Sequence, residues 1–187
     1  MRSWRKFPIL LALLTGASAG SLDAQVGPII DWITRLHGPG FVRVGAQFTT
    51  SVTGVDGPLE LSVAGMYGFK SKDGSGPDGA ADATMLSLQG TLDVRVVRVS
   101  KTLDLLAIGG IAGHSFSGDQ FDSFGALSFP LQGVVRFKTG GTSQFRLGAG
   151  WNIFRFGDDA FDPIDVGVDR GTWEAVFGVH AVYIIDF

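Results

Sequence analysis

Thr172-Trp173-Glu174-Ala175-Val176-Phe177-Gly178-Val179-His180-Ala181-Val182-Tyr183-Ile184-Ile185-Asp186-Phe187 is the stretch whose reading decides the fold. Side chains two apart share one face of a strand. Taken by twos, Trp173, Ala175, Phe177, Val179, Ala181, Tyr183, Ile185 and Phe187 form a wholly apolar face. The alternate positions carry every charge of the stretch, Glu174 and Asp186, together with His180. A strand between lipid and a polar lumen needs this division.

Six further segments repeat it. In 41–51, Val42, Val44, Ala46 and Phe48 alternate with Arg43, Gly45, Gln47 and Thr49. In 58–70, Leu59, Leu61, Val63, Tyr67 and Phe69 oppose Glu60, Ser62, Ala64 and Met66. In 84–98, Leu86, Leu88, Leu92, Val94 and Val96 oppose Ser87, Gln89, Thr91, Asp93 and Arg95. Segment 102–115 is less regular, with Leu103, Leu105, Ala107 and Ile111 opposite Asp104, Leu106, Ile108, Ala112 and His114. In 125–138, Leu127, Phe129, Leu131, Val135 and Phe137 oppose Ser128, Gln132, Arg136 and Lys138; in 144–155, Phe145, Leu147, Ala149, Trp151 and Ile153 oppose Arg146, Gly148, Gly150 and Asn152. Each segment matches or slightly exceeds the length of a tilted membrane strand. Soluble β-sandwiches and lipocalin-type barrels also alternate, but they place many Lys, Glu and Asp on the outer face. Here the charges are sparse and lie mostly on one face, which suits a lumen.

The connections 52–57, 99–101 and 139–143 are short, and 71–83, 116–124 and 156–171 are long, in strict alternation. Membrane barrels have short periplasmic turns and longer external loops. With the long loops outside, Phe187 ends in the periplasm and one more strand must precede Phe41. Residues 26–36 are the candidate, and they read two ways. As a strand they put Val26, Ile30, Trp32 and Leu36 outside and Asp31 and Arg35 inside. As a helix, Ile29, Trp32, Ile33 and Leu36 match the helical template, and Pro28 suits a first turn. If 26–36 is a helix, 162–169 supplies the missing strand. Both arrangements give eight strands. Outward aromatics then form two bands, Tyr67, Phe69, Trp151 and Trp173 at one end and Phe48, Phe137, Phe145, Tyr183 and Phe187 at the other, as two bilayer interfaces require.

Residues 1–24 read as a secretory signal peptide, with Arg2, Arg5 and Lys6 before a short apolar core and cleavage sites after Ala19 or Ala24. The mature barrel is then 25–187. Removing Arg2, Arg5, Lys6 and Asp23 from 15 Lys+Arg and 18 Asp+Glu leaves 12 and 17, a net charge of −5. That acidity argues against nucleic acid as a partner. Cysteine is absent, so no disulfide framework supports the exported chain.

A terminal Phe preceded by alternate apolar residues, with Tyr183 among them, resembles the C-terminal signature of bacterial outer-membrane β-barrels. Over its mature length the chain resembles the small eight-stranded barrels of the OmpA/OmpX type. The resemblance implies an all-β, transmembrane, antiparallel up-and-down barrel in the outer membrane of a Gram-negative-type bacterium. It implies outer-membrane lipid and the outer-membrane assembly machinery as partners, with Tyr183, Ile185 and Phe187 as the assembly signal. No functional residue of that family maps here, because such barrels share architecture more than a site.

The inward faces collect Arg43, Arg95, Arg136, Lys138 and Arg146 against Glu60, Asp93, Asp104 and Glu174. An eight-stranded interior is just wide enough to be filled by side chains, and unpaired charges there are costly. A paired lumen network of Arg43, Glu60, Asp93, Arg95, Asp104, Arg136, Arg146 and Glu174 is therefore expected. Lumen-facing substitutions such as Gln89→Arg and Gly148→Ser are expected to be milder than charges on the outward face, provided the new groups fit. His114-Ser115-Phe116-Ser117 invites comparison with outer-membrane lipid A deacylases, but the Ser position two residues after the His is Phe116 here. His37, His114 and His180 lack metal-ligand spacing. Asp158, Asp159, Asp162, Asp165 and Asp169 crowd one loop, and Asp73, Asp78 and Asp82 another, without the pattern of a calcium loop. The sequence points to no cofactor, no metal and no catalytic residue. It predicts a non-enzymatic barrel with a structural or surface-interaction role, with a narrow channel for small or apolar solutes as the alternative and a lipid-modifying enzyme as another.

Overall fold

Eight strands in a computed structural model realise the alternation: β1 (Ala24–Arg35), β2 (Gly38–Ser51), β3 (Leu59–Lys70), β4 (Ala83–Arg98), β5 (Leu103–Gly118), β6 (Phe121–Lys138), β7 (Ser143–Phe156) and β8 (Trp173–Asp186). The structure describes residues 24–35, 38–54, 57–70, 83–118, 121–139, 143–156 and 173–186. Each strand pairs antiparallel with its sequence neighbours, and β1 closes on β8, so the sheet is a closed up-and-down barrel. Closure leaves no edge strand, which is the condition for exposing a sheet to lipid.

Residues 26–35 are strand, and the short helix that their periodicity allows is not formed; the described residues contain no helix. The helical template spreads over both faces of the strand. Ile29 and Ile33 are buried inside, while Ile30 and Trp32 face out. Both flanks of β1 are used, by β2 from Ala24↔Thr50 to Arg35↔Gly38 and by β8 from Gln25↔Asp186 to Ile33↔Gly178. A helix here would leave β2 and β8 with open edges, and that cost outweighs local propensity. The rival strand at 162–169 lies outside the described residues.

The short connections form one end of the barrel, the turn end. There Val52 N–H donates to Leu59 O at 2.9 Å, and Val99 N–H to Leu103 O at 2.9 Å. Gly54 sits in the first turn at φ 86°, a conformation that favours glycine. At the opposite, loop end, the stretch 116–124, predicted to be a long connection, is mostly strand, with β5 running to Gly118 and β6 starting at Phe121. Strand pairing continues to Gly118↔Phe121, with Phe116 opposite Phe124 and their rings stacked at 4.9 Å. Rows of paired residues climb around the barrel. Val26 near the bottom of β1 leads through Phe48, Val63 and Gly90 to Ile111, midway up β5. This stagger is the strand tilt that closure requires.

Polarity across the wall reverses along the barrel. Over most of its height the outer face is apolar, with Val44, Leu92, Leu131, Leu147 and Val179 exposed, and the inner face buries Asp31, Arg43, Asp93, Arg136 and Arg146. At the loop end of β4–β6 the pattern inverts. Ser115, Ser117 and Ser123 point outward, with Thr84 Oγ1 2.9 Å from Ser117 Oγ. Met85, Phe116, Phe124, Phe154 and Phe156 pack inside with Ile33, Ala126 and Val176. Polar outside and apolar inside is the arrangement of a barrel in water, so the reversal marks where the apolar belt ends.

Candidate functional site

The lumen is filled in layers by side chains from opposite walls. Nearest the turn end, the Arg136 guanidinium from β6 donates to Glu60 Oε1 and holds Asp104 Oδ2 at 2.5 Å through Nη2 and 3.1 Å through Nε. Arg146 from β7 donates to Glu60 Oε2 at 2.6 Å and to Asp93 Oδ2 at 2.9 Å. Glu60 on β3 is thus shared between two guanidiniums reaching across the barrel. Asp93 also accepts from Ser62 at 2.8 Å and from Thr91 at 2.9 Å, and Ser62 meets Thr49 at 2.9 Å. Three further cations approach Asp104: Arg98 Nε at 3.2 Å, Arg95 Nη1 at 3.9 Å and Lys138 Nζ at 4.0 Å.

A second layer lies towards the loop end. Arg43 Nε and Nη2 each stand 2.9 Å from Asp31 Oδ1, and Arg43 Nη1 donates to Ser87 Oγ at 3.4 Å. Ser87 Oγ is 2.8 Å from His114 Nδ1, and His114 Nε2 is 2.8 Å from Ser128 Oγ. A neutral imidazole donates on one side and accepts on the other, so two hydroxyls satisfy it. Two glycines make this layer fit: a Cβ on Gly68 would stand 2.8 Å from Arg43 Cγ, and one on Gly148 would stand 2.1 Å from His180 Cε1. Above the layer, the Phe154 ring is 4.8 Å from His114 and the Phe116 ring 6.2 Å.

Of the residues expected in one network, Glu60, Asp93, Arg95, Asp104, Arg136 and Arg146 are brought together. Arg43 belongs to the separate layer with Asp31. Glu174 faces Phe154 near the loop end of β8 and does not join the Glu60 cluster. Arg98 joins the cluster although strict alternation from Asp93 puts it outside. A register shift between Arg95 and Val97 leaves Val96 and Val97 both exposed and turns Arg98 back to Asp104. Tyr183 and Ile185 face outward, and Phe187 lies outside the described residues. So do the acidic loop positions 158–169 and 73–82 and His37. Among the described residues no group of three or more His, Asp or Glu could hold a metal ion.

A serine beside a histidine is the beginning of nucleophilic chemistry, and Ser87–His114–Ser128 has that geometry. All three are buried, with the Phe116 and Phe154 rings packed against the imidazole. Ser115 and Ser117 point out of the barrel and away from His114.

An apolar outer belt, closed hydrogen bonding and a polar, filled lumen define a membrane-type up-and-down β-barrel of eight strands. The chain is similar in fold to Neisserial surface protein A (NspA), with a TM-score of 0.54, 11% identity, and coverage of 88% of this chain and 96% of that one. Ail, the attachment invasion locus protein of Yersinia pestis, matches at a TM-score of 0.41 and 8% identity over 88% of this chain and 97% of its own. At these identities the likeness is one of fold, and the NspA comparison carries it. No protein-family model and no curated protein matches the sequence.

Proposed function

We propose that the protein is an integral outer-membrane barrel, exported by its 1–24 signal peptide, whose lumen is plugged and whose role is non-enzymatic: structural, or interaction through its loop end. The plug carries this reading. Arg136 and Arg146 meet on the single carboxylate of Glu60, and both are nearly inaccessible. They bridge β3 to β6 and β7 across a lumen of the width that side chains fill in an eight-stranded barrel. The aromatic cluster of Phe116, Phe124, Phe154 and Phe156 fills the same lumen at the loop end. With two closures in series, surface contact is the function left to the loop end. Tyr183, Ile185 and Phe187 serve as the signal that the assembly machinery reads.

Reconstitution into planar bilayers tests the reading. The wild-type protein is expected to insert and to show negligible steady conductance. A steady, large conductance would replace the plugged barrel by the narrow-channel alternative.

A further inference from the structure

Arg155 is a cation on the wrong face for a lumen network. It follows Ile153 on the outward side of β7 and lies between Leu127 of β6 and Trp173 of β8. Its guanidinium carbon is 5.8 Å from the centre of the Trp173 ring, and its Nη1 donates to its own neighbour, Phe156 O, at 2.7 Å. No carboxylate of the described residues pairs with it. Trp173 in turn packs against Phe129 at 5.9 Å, so the cation stands at the top of an aromatic and aliphatic surface.

Its height gives it meaning. The outward hydroxyls Ser115, Ser117 and Ser123 mark the edge of the apolar belt on β5 and β6. Leu127, the β6 partner of Arg155, lies just below that row. Arg155 therefore occupies the boundary where a lipid's acyl chains give way to its headgroup. A cation on a lipid-facing wall is costly unless it reaches an anion at the interface, and the guanidinium fork matches a phosphate. A fixed interfacial tryptophan alongside is the usual anchor at that depth.

We infer that Arg155, Trp173 and Phe129 form a site for an anionic membrane lipid, with the phosphate of its headgroup on Arg155 and its acyl chain along Leu127, Phe129 and Trp173. The site rests on the membrane reading above. It holds one lipid against the β6–β8 wall at the loop end.

Quenching by brominated lipids tests both levels separately. In the mature chain 25–187, Trp32→Phe and Trp151→Phe together leave Trp173 as the one indole. This protein is reconstituted in phosphatidylcholine vesicles containing a small fraction of brominated phosphatidylcholine or brominated phosphatidylglycerol. If the wall faces lipid, both quench Trp173, and if neither does, the membrane reading itself fails. The site predicts a roughly five-fold preference for the anionic lipid, the effect of about one interfacial cation. That preference is lost in Arg155→Gln and kept in Arg155→Lys, with the folded fraction of each checked by circular dichroism. Equal quenching by the two lipids, or a preference that survives Arg155→Gln, overturns the site and leaves the membrane reading standing.

Discussion

The imidazole of His180 lies against the bare Cα of Gly148, its directly paired neighbour across β7 and β8, where an added Cβ would fall 2.1 Å from Cε1. His180 also pairs across β1 with Asp31, whose carboxylate holds Arg43. A side chain at 148 therefore displaces a ring wedged into the second polar layer. Position 148 faces the lumen, where Gly148→Ser is mild only if the new group fits, and the His180 ring leaves it no room. Overpacking a filled interior costs about 1–3 kcal/mol. Gly148→Ser is expected to lower the urea midpoint of refolded protein in vesicles, and Gly148→Ser with His180→Ala to recover much of the loss. Equal stability of wild type and Gly148→Ser would mean that the ring has room elsewhere.

The outward face is tested by charge. Leu131 and Leu147 lie in the apolar belt, each more than two-fifths exposed in the protein alone. Arg at such positions costs about 2–4 kcal/mol near the bilayer midplane. Leu131→Arg and Leu147→Arg are expected to refold poorly into vesicles. Lumen-facing Gln89→Arg, opposite Ala64 and Ala112, is expected to be milder. The reverse ranking in equilibrium unfolding would invert the assignment of the two faces.

Alternation made the strands legible because lipid outside and polar groups inside impose a strict period of two. The same rule hid three features. Asp31 sits where Ile29, Trp32, Ile33 and Leu36 also suit a helix, so its partnership with Arg43 depended on settling β1. Arg98 was concealed by the irregularity after Arg95, whose trace in the sequence is the adjacent pair Val96-Val97. Ser87, His114 and Ser128 share a parity, but only register brings the first two opposite each other. Glu174 shows the converse. Parity places it inside, but height separates it from Glu60, and height is set by barrel stagger rather than by local pattern.

The C-terminal strand carries the assembly prediction. Tyr183 and Ile185 are exposed on the outward face of β8, in line with the period that ends at Phe187. Deleting Phe187 is expected to reduce the outer-membrane yield sharply, with the chain accumulating unfolded or degraded in the periplasm. Fractionation followed by immunoblotting measures this. Normal yield of the shortened chain would separate assembly from the terminal aromatic.

Glu60 is the residue on which the plug turns. Its two oxygens take one guanidinium each, Arg136 on one side and Arg146 on the other, while Asp104 and Asp93 engage the far sides of the same pair. Removing Glu60 leaves each arginine one carboxylate, and the span between β3 and the β6–β7 wall is no longer bridged. Breaking a buried pair by deleting one partner costs about 3–5 kcal/mol, and the freed guanidiniums draw in water. Glu60→Ala is therefore expected to lower stability and to produce more frequent or larger openings in planar bilayers. Asp93→Ala, which also strips Ser62 and Thr91 of their acceptor, is expected to do the same. Glu60→Met, similar in length and uncharged, loses the bridge but keeps volume, and should open less than Glu60→Ala. If all three variants stay as silent as the wild type while losing stability, the closure lies in the aromatic cluster at the loop end. Phe116→Ala and Phe154→Ala would then be the substitutions that open the barrel.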